Sequence, residues 1–306
     1  MIDAVLLIAF GGPTRPEEIR PFLANVTRGR RIPPERLEDV AHHYELIGGR
    51  SPLNDITFRQ AEGLAAELRH RGHSLPVYVG MRNWDPYLKD TLTRMSAAGI
   101  RRALGVILSA QQSEAGWSRY QQDVETARAE IGPQAPAVVY APEWHAQPRF
   151  IEAVSAGVAD SLAQVPAERR ALAKLVFTAH SIPMSTGDVG LYVEQVREGA
   201  ALAAARCGHA DWRIAYQSRS GSPRDPWLEP DICDVIRQLA ADGVRDVVVS
   251  PIGFICDHAE VLYDLDIEAR QVADVAGIQF YRAAAVNDHP AFVAGLADIV
   301  GEGLSL

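Results

Sequence analysis

Cysteine is scarce in this chain: Cys207, Cys233 and Cys256 are odd in number and far apart. That excludes a disulfide framework, and without CxxC or Cys–His spacing there is no signature of a zinc or iron–sulfur site. Positive charge is also in deficit. Lys and Arg total 30 against 39 Asp and Glu, a formal charge of −9, whereas a nucleic-acid binder needs a basic face. Long apolar runs are missing, none approaching the ~20 residues of a membrane span. The opening segment MIDAVLLIAFGG has no positive charge ahead of its apolar stretch, so it reads as a buried first strand and not a signal peptide. Low complexity is absent too, at 47% hydrophobic and 23% charged residues. These absences describe a globular protein of a reducing cytoplasm, with no nucleic-acid partner and no stable membrane anchoring. At ~100–200 residues per domain, the length points to two domains.

What is present is alternation. Apolar runs at 4–10, 76–80, 103–109, 137–141, 175–179, 213–217, 246–251 and 277–281 read as strands. Helical patterns at 17–26, 34–46, 57–71, 86–98, 116–131, 148–164, 189–207, 230–241, 259–273 and 290–300 lie between and around them. The strands are continuous apolar runs, as burial on both faces requires, and regular βα alternation implies parallel sheets with right-handed crossovers. SAAGIRRALGVILS (96–109) and LAADGVRDVVVSP (239–251) echo each other, each a helix stopped at Gly99 or Gly243 before a strand. The expectation is an α/β protein of two similar halves, 1–145 and 146–306. Ligands of such sheets bind beyond the carboxyl ends of the strands, so the chemistry should follow strands.

Gly11-Gly12-Pro13 follows the first strand but lacks the nucleotide-binding spacings; it permits a tight turn and close approach of a flat ligand. The strand at 175–179 runs into His180 of TAHSIP, with Pro183 stiffening the loop. In PIGFICDHAEVLYDLDIEA a helix should start near Asp257 or His258. Four α-helical residues turn through ~400°, so Glu260, Asp264 and Glu268 should lie on nearly one face, drifting ~40° per step. Like charges at this spacing repel. Such a ladder is either a solvated face or a cation pathway, and the apolar neighbours Val261, Leu262, Leu265 and Ile267 favour the pathway. His258 and Glu260, two apart, should not share a face. Arg28, Arg30, Arg31 and Arg50 suit bidentate carboxylate binding, while Trp84, Trp227 and Tyr120 read first as packing residues.

Taken in order, FGGP, NVTRGR, HYELIGGRSPLND, RNWDP, TAHSIP, QSRSGSPRDPWLEPDI and PIGFICDHAEVLYDLD make the chain resemble the ferrochelatase family, which inserts ferrous iron into a porphyrin. The resemblance implies two similar Rossmann-like domains, each a four-stranded parallel sheet flanked by helices (the chelatase-like fold), with the porphyrin cleft between them. It implies that His180 and Glu260 contact metal and accept pyrrole protons. It assigns Asp264 and Glu268 to passing metal inward or holding a second cation. It matches the propionate-side positions to Arg28, Tyr44, Ser51 and Tyr120, with Phe10 beside the porphyrin plane. NVTRGR and GGRSPLND look closer to the coproporphyrin III branch than to the protoporphyrin IX branch. Departures are Phe10, where some coproporphyrin members carry an iron-ligating Tyr, His43, where some carry Arg, and the unusual AQQSEAGWSRY at 110–120. No cysteine-bearing extension follows, so neither an iron–sulfur cluster nor any other prosthetic group is expected. Iron is substrate, and the protein is expected to be a monomer. The alternatives are a cobalt chelatase acting on a related tetrapyrrole and a non-catalytic tetrapyrrole carrier, which would need neither proton acceptor.

Overall fold

A computed structural model describes residues 1–29, 32–220 and 225–305. Arg30, Arg31 and positions 221–224 of the QSRSGSPRDPWLEPDI stretch therefore lie outside the described residues. Every expected strand forms: β1 (Ala4–Ala9), β2 (Val77–Met81), β3 (Arg102–Ile107), β4 (Ala137–Tyr140), β5 (Lys174–His180), β6 (Trp212–Gln217), β7 (Asp246–Ser250) and β8 (Gln279–Arg282). They make two four-stranded sheets, ordered β2-β1-β3-β4 and β6-β5-β7-β8. All pairings are parallel. The second order repeats the first strand for strand, so the echo between the two halves is topological. Gly99 and Gly243 share its geometry too, each at φ +80 just past a helix end, where a side chain would be strained.

Central and edge strands differ. β1 is buried along its whole length, as is β7; each apolar side chain so removed from water contributes roughly 1.5–3 kcal/mol. Edge strands β4 and β8 are only partly covered, so burial on both faces holds for the middle of each sheet and not its rims.

The chain forms two compact units. One comprises Met1–Ser109, Ala115–Glu143 and Val293–Leu306; the other comprises Ala110–Glu114 and Trp144–Phe292. Relative to a division into 1–145 and 146–306, the difference lies mainly in the C-terminal helix Pro290–Gly303. Most of it groups with the first unit. There Arg71 donates to Asp298 Oδ1 (2.6 Å) and to the Ala294 carbonyl (3.1 Å), and Gly303 lies so close to Leu104 that a Cβ would meet its Cδ2 at 2.6 Å.

The helix expected at 17–26 opens with a 3-10 turn, Pro16–Glu18, and two others carry a π-turn. The segment expected to be helical over 116–131 starts as a π-turn, Glu114–Ser118, before Arg119–Ile131. The segment expected at 259–273 is Ala259–Tyr263, a π-turn Asp264–Ala269, then Arg270–Ala276. Both follow the third strand of their unit. Among the described residues no helix is long and apolar enough to cross a membrane.

Candidate active site

In each sheet the chain leaves the first strand for one neighbour and later returns to its other side, so the crevice lies at the carboxyl ends of β1 and β3, or of β5 and β7. In the second unit this point holds His180, the last residue of β5. The loop after β7 is pressed against it: the Gly253 N–H donates to the Thr178 carbonyl at 2.9 Å. A Cβ on Gly253 would sit 2.6 Å from Ala179 Cα, so only glycine allows the approach. That loop delivers Glu260, whose Oε2 stands 3.8 Å from His180 Nε2.

The imidazole is oriented from behind. His180 Nδ1 is 2.5 Å from the Ser181 carbonyl, which can only accept, so Nδ1 carries the hydrogen and Nε2 faces Glu260. Ser181 is fixed in turn, its N–H donating to the Gln217 carbonyl (2.8 Å) and its hydroxyl to the Leu228 carbonyl (2.9 Å). Burial disfavours the imidazolium, but the Glu260 carboxylate, the Ser181 carbonyl and Asp264 outweigh it, so the His180 pKa is raised. Burial would likewise raise Glu260, but His180 and His258 hold its carboxyl below the usual range. Both side chains remain reachable, His180 at 31% and Glu260 at 48% exposure.

His258 takes a part the spacing argument did not foresee. It does not pair with the Glu260 carboxylate as a neighbour on the helix; its Nδ1 accepts the Glu260 N–H at 3.1 Å, capping the helix that starts at Ala259. Burial lowers the His258 pKa, keeping that ring nitrogen free to accept. The carboxylate ladder also differs from an α-helical face. Asp264 opens the π-turn, whose i→i+5 bonding puts more residues in each turn, so the four-residue step to Glu268 drifts less than in an α-helix. Asp264 is held by Ser218, which donates to Oδ2 at 2.5 Å from a left-handed backbone at φ 63. Burial, then the Glu260 and Glu268 carboxylates, push Asp264 up to about 7 against that bond. Glu268 is exposed. Among the described residues no three His, Cys, Asp or Glu side chains are gathered around a metal-sized space; His180 and Glu260 form an open two-donor arrangement.

The first unit places an aromatic group at the matching point. Phe10 directly follows β1 and is 37% exposed, its ring edge-on to Phe22 at 6.3 Å, with Tyr44 and Trp84 also against Phe22 at 6.0 Å. The Arg82 guanidinium lies 5.9 Å from the Phe10 ring and 4.4 Å from that of Tyr120, and its Nε donates to Asp123 at 2.5 Å. Tyr44, Ser51 and Tyr120 are buried. Ser51 packs under Gly12, whose N–H donates to Asn54 Oδ1 at 2.9 Å. Arg28 is exposed and donates to Asn25 Oδ1 at 2.6 Å. Arg50 is ion-paired with Asp55. Trp84 packs as expected and also donates to Glu18 at 2.9 Å.

Ser218, Arg82 and the capping role of His258 have no signature of their own in the sequence. Each lies inside one of the motif stretches, but a left-handed serine, a cation over two rings and a ring-to-backbone bond leave no periodic trace.

The sequence model of the family described as Ferrochelatase matches residues 2–304. A protein named coproporphyrin III ferrochelatase from Mycolicibacterium smegmatis is 48% identical over 99% of this chain and 90% of its own length. One of the same name from Nocardia farcinica is 44% identical over 99% and 88%. Among solved structures, SirB from Bacillus subtilis with Fe3+ superposes with a TM-score of 0.61 at 14% identity, covering 99% of this chain and 95% of that one. CbiX, titled the terminal enzyme for biosynthesis of sirohaem in denitrifying bacteria, gives 0.58 at 17%, covering 97% and 98%. These structures share the fold of paired four-stranded parallel sheets. With that fold, and with a match running from residue 2 to residue 304, the chain belongs to the ferrochelatase family.

Proposed function

We propose that the protein inserts ferrous iron into coproporphyrin III in haem synthesis, with His180 and Glu260 as the residues that meet the metal and take the pyrrole protons. The observation that carries this is the pair itself: an imidazole with Nδ1 tied to a carbonyl, its Nε2 3.8 Å from a carboxylate, at the switch point of a parallel sheet. Insertion exchanges one divalent cation for two pyrrole N–H protons, so the site needs metal donors and proton acceptors together. Imidazole and carboxylate serve as both. Each group favours the other's charged form, the Glu260 carboxylate raising the His180 pKa and His180 lowering that of Glu260; His180 is assigned as the base and inner metal donor, with Glu260 as the second, anionic donor. Asp264 and Glu268 extend the acidic line from Glu260 and would feed metal towards it or hold a second cation.

Porphyrin contact is assigned to Phe10, Arg28, Tyr44, Ser51 and Tyr120. Phe10 offers an exposed ring and Arg28 an exposed guanidinium suited to a propionate; Tyr44, Ser51 and Tyr120, being buried, would support that surface from beneath. The coproporphyrin assignment follows the names of the relatives at 44–48% identity. The protein would act as a cytoplasmic monomer with no prosthetic group, iron being its substrate. The test is incubation of purified protein with Fe2+ or Zn2+ and coproporphyrin III, following the metalloporphyrin spectrum; many turnovers per protein support the enzyme, and one equivalent bound without turnover replaces it with a carrier.

A further inference from the structure

Between Asp257 and Asp266 lie His258, Glu260 and Asp264, and a single side chain grips both ends of that segment. Arg282, the last residue of β8, donates from Nη1 to Asp257 Oδ1 at 2.7 Å and from Nε to Asp266 Oδ1 at 2.6 Å. It is only 14% exposed, and Asp257 only 15%. The Asp257 end is closed further: its N–H donates to Asn287 Oδ1 and its Oδ2 accepts from Asn287 Nδ2, both at 2.8 Å. On the other side of the turn, Asp264 is held by Ser218, next to the end of β6. Because β6 and β8 are the two edges of the sheet, the π-turn is strung across its carboxyl end between two tethers, with β5 and β7 beneath.

We infer that Arg282 is a positioning residue for metal handling: by holding Asp257 and Asp266 at once, it fixes the backbone that aims Glu260 and Asp264 towards His180. This rests on the proposed function. An arginine is required because its planar fork serves two carboxylates in fixed directions, which a lysine point charge cannot do. A π-turn is a poorly populated alternative to the α-helix. Freed from its Asp266 tether, the segment can rewind, and the Asp264-to-Glu268 step then turns away from the proposed metal line. Arg282 touches neither metal donor, so its loss should appear in metal use rather than in porphyrin binding.

The experiment measures steady-state metal insertion by wild type, Arg282→Ala, Arg282→Lys and Asp266→Asn, titrating Fe2+ or Zn2+ at saturating porphyrin, with porphyrin Kd from fluorescence quenching and Tm from circular dichroism. Loss of outer residues that orient metal-contacting groups typically costs about 10- to 100-fold in metal affinity or activity. The expected result is a rise of that size in the metal KM for Arg282→Ala, a rise little smaller for Arg282→Lys, a partial rise for Asp266→Asn, and an unchanged porphyrin Kd. A metal KM within twofold of wild type in folded Arg282→Ala overturns the inference, as does a kcat loss that follows Tm alone. If Arg282→Ala does not fold, Asp266→Asn decides: an unchanged metal KM there overturns the inference equally. Wild type that inserts no metal refutes the proposed function instead, which separates the two failures.

Discussion

His180 Nε2 and Glu260 Oε2 face each other at 3.8 Å, one from the end of β5 and the other from the first turn of the helix that follows the loop after β7. Each shifts the other's protonation, the imidazole made more basic and the carboxyl more acidic. The distance is longer than a normal hydrogen bond, so the two groups share charge across a gap.

Replacing His180 by Ala should abolish metal insertion while leaving porphyrin affinity within about threefold, since a change of one charge-assisted contact exceeds that. In the proposed function the imidazole takes pyrrole protons, and the other ring near Glu260, that of His258, has its Nδ1 committed to the Glu260 N–H. Insertion that persists within tenfold of wild type would remove His180 from the reaction.

The three carboxylates should behave as a graded series. Glu260→Gln removes charge and proton acceptor where His180 meets it, so activity should vanish. Asp264→Asn and Glu268→Gln should mainly raise the metal concentration needed, Glu268→Gln less because that side chain is exposed. Equal and complete loss at all three, in folded proteins, would contradict a line in which only the innermost carboxylate does chemistry.

Much of this arrangement was legible in the sequence. The inner strands stand out because a strand in the middle of a parallel sheet must be a continuous apolar run, and β1 and β7 are such runs. His180 and Glu260 were legible because both follow strands and sit in unbroken motifs. The π-turn at Asp264–Ala269 was not, because the bonds made to it are tertiary: Ser218 donates to Asp264 and Arg282 to Asp266, both from outside the segment. The C-terminal helix read as part of the second half, since no local pattern records that Arg71 would bond Asp298 and Ala294.

Asp264 gives a pH signature without any metal. Its folded pKa is raised from 3.8 to about 7 by burial and by Glu260 and Glu268, with Ser218 and His180 opposing. Between these values the folded state holds a proton that the unfolded state has released, so this contribution to stability is full below pH 3.8 and lost as pH rises through about 7. Asn at this position cannot ionise. The Tm of Asp264→Asn minus that of wild type should therefore become more positive from pH 4 to pH 7.5. A difference that stays flat over this range would show that the Asp264 carboxyl titrates near its ordinary value.

Arg28→Ala should weaken a porphyrin with four carboxylates more than one with two. A charge-assisted hydrogen bond contributes roughly 1.5–3 kcal/mol, or about one to two decades of affinity. Fluorescence titration with coproporphyrin III and protoporphyrin IX measures both losses, and equal losses would place Arg28 away from the additional propionates.

Family membership and the His180–Glu260 pair imply that this chain turns a free porphyrin into its iron complex, and the proposed function adds a preference for the four-carboxylate substrate. The most direct measurement is an anaerobic, multiple-turnover assay with Fe2+, comparing coproporphyrin III and protoporphyrin IX at equal concentration and recording product spectra over time. Many turnovers with both porphyrins are expected, coproporphyrin III having the larger kcat/KM by about tenfold or more, as one further charge-assisted contact would give. A stoichiometric complex that forms once and never turns over would contradict an insertion enzyme.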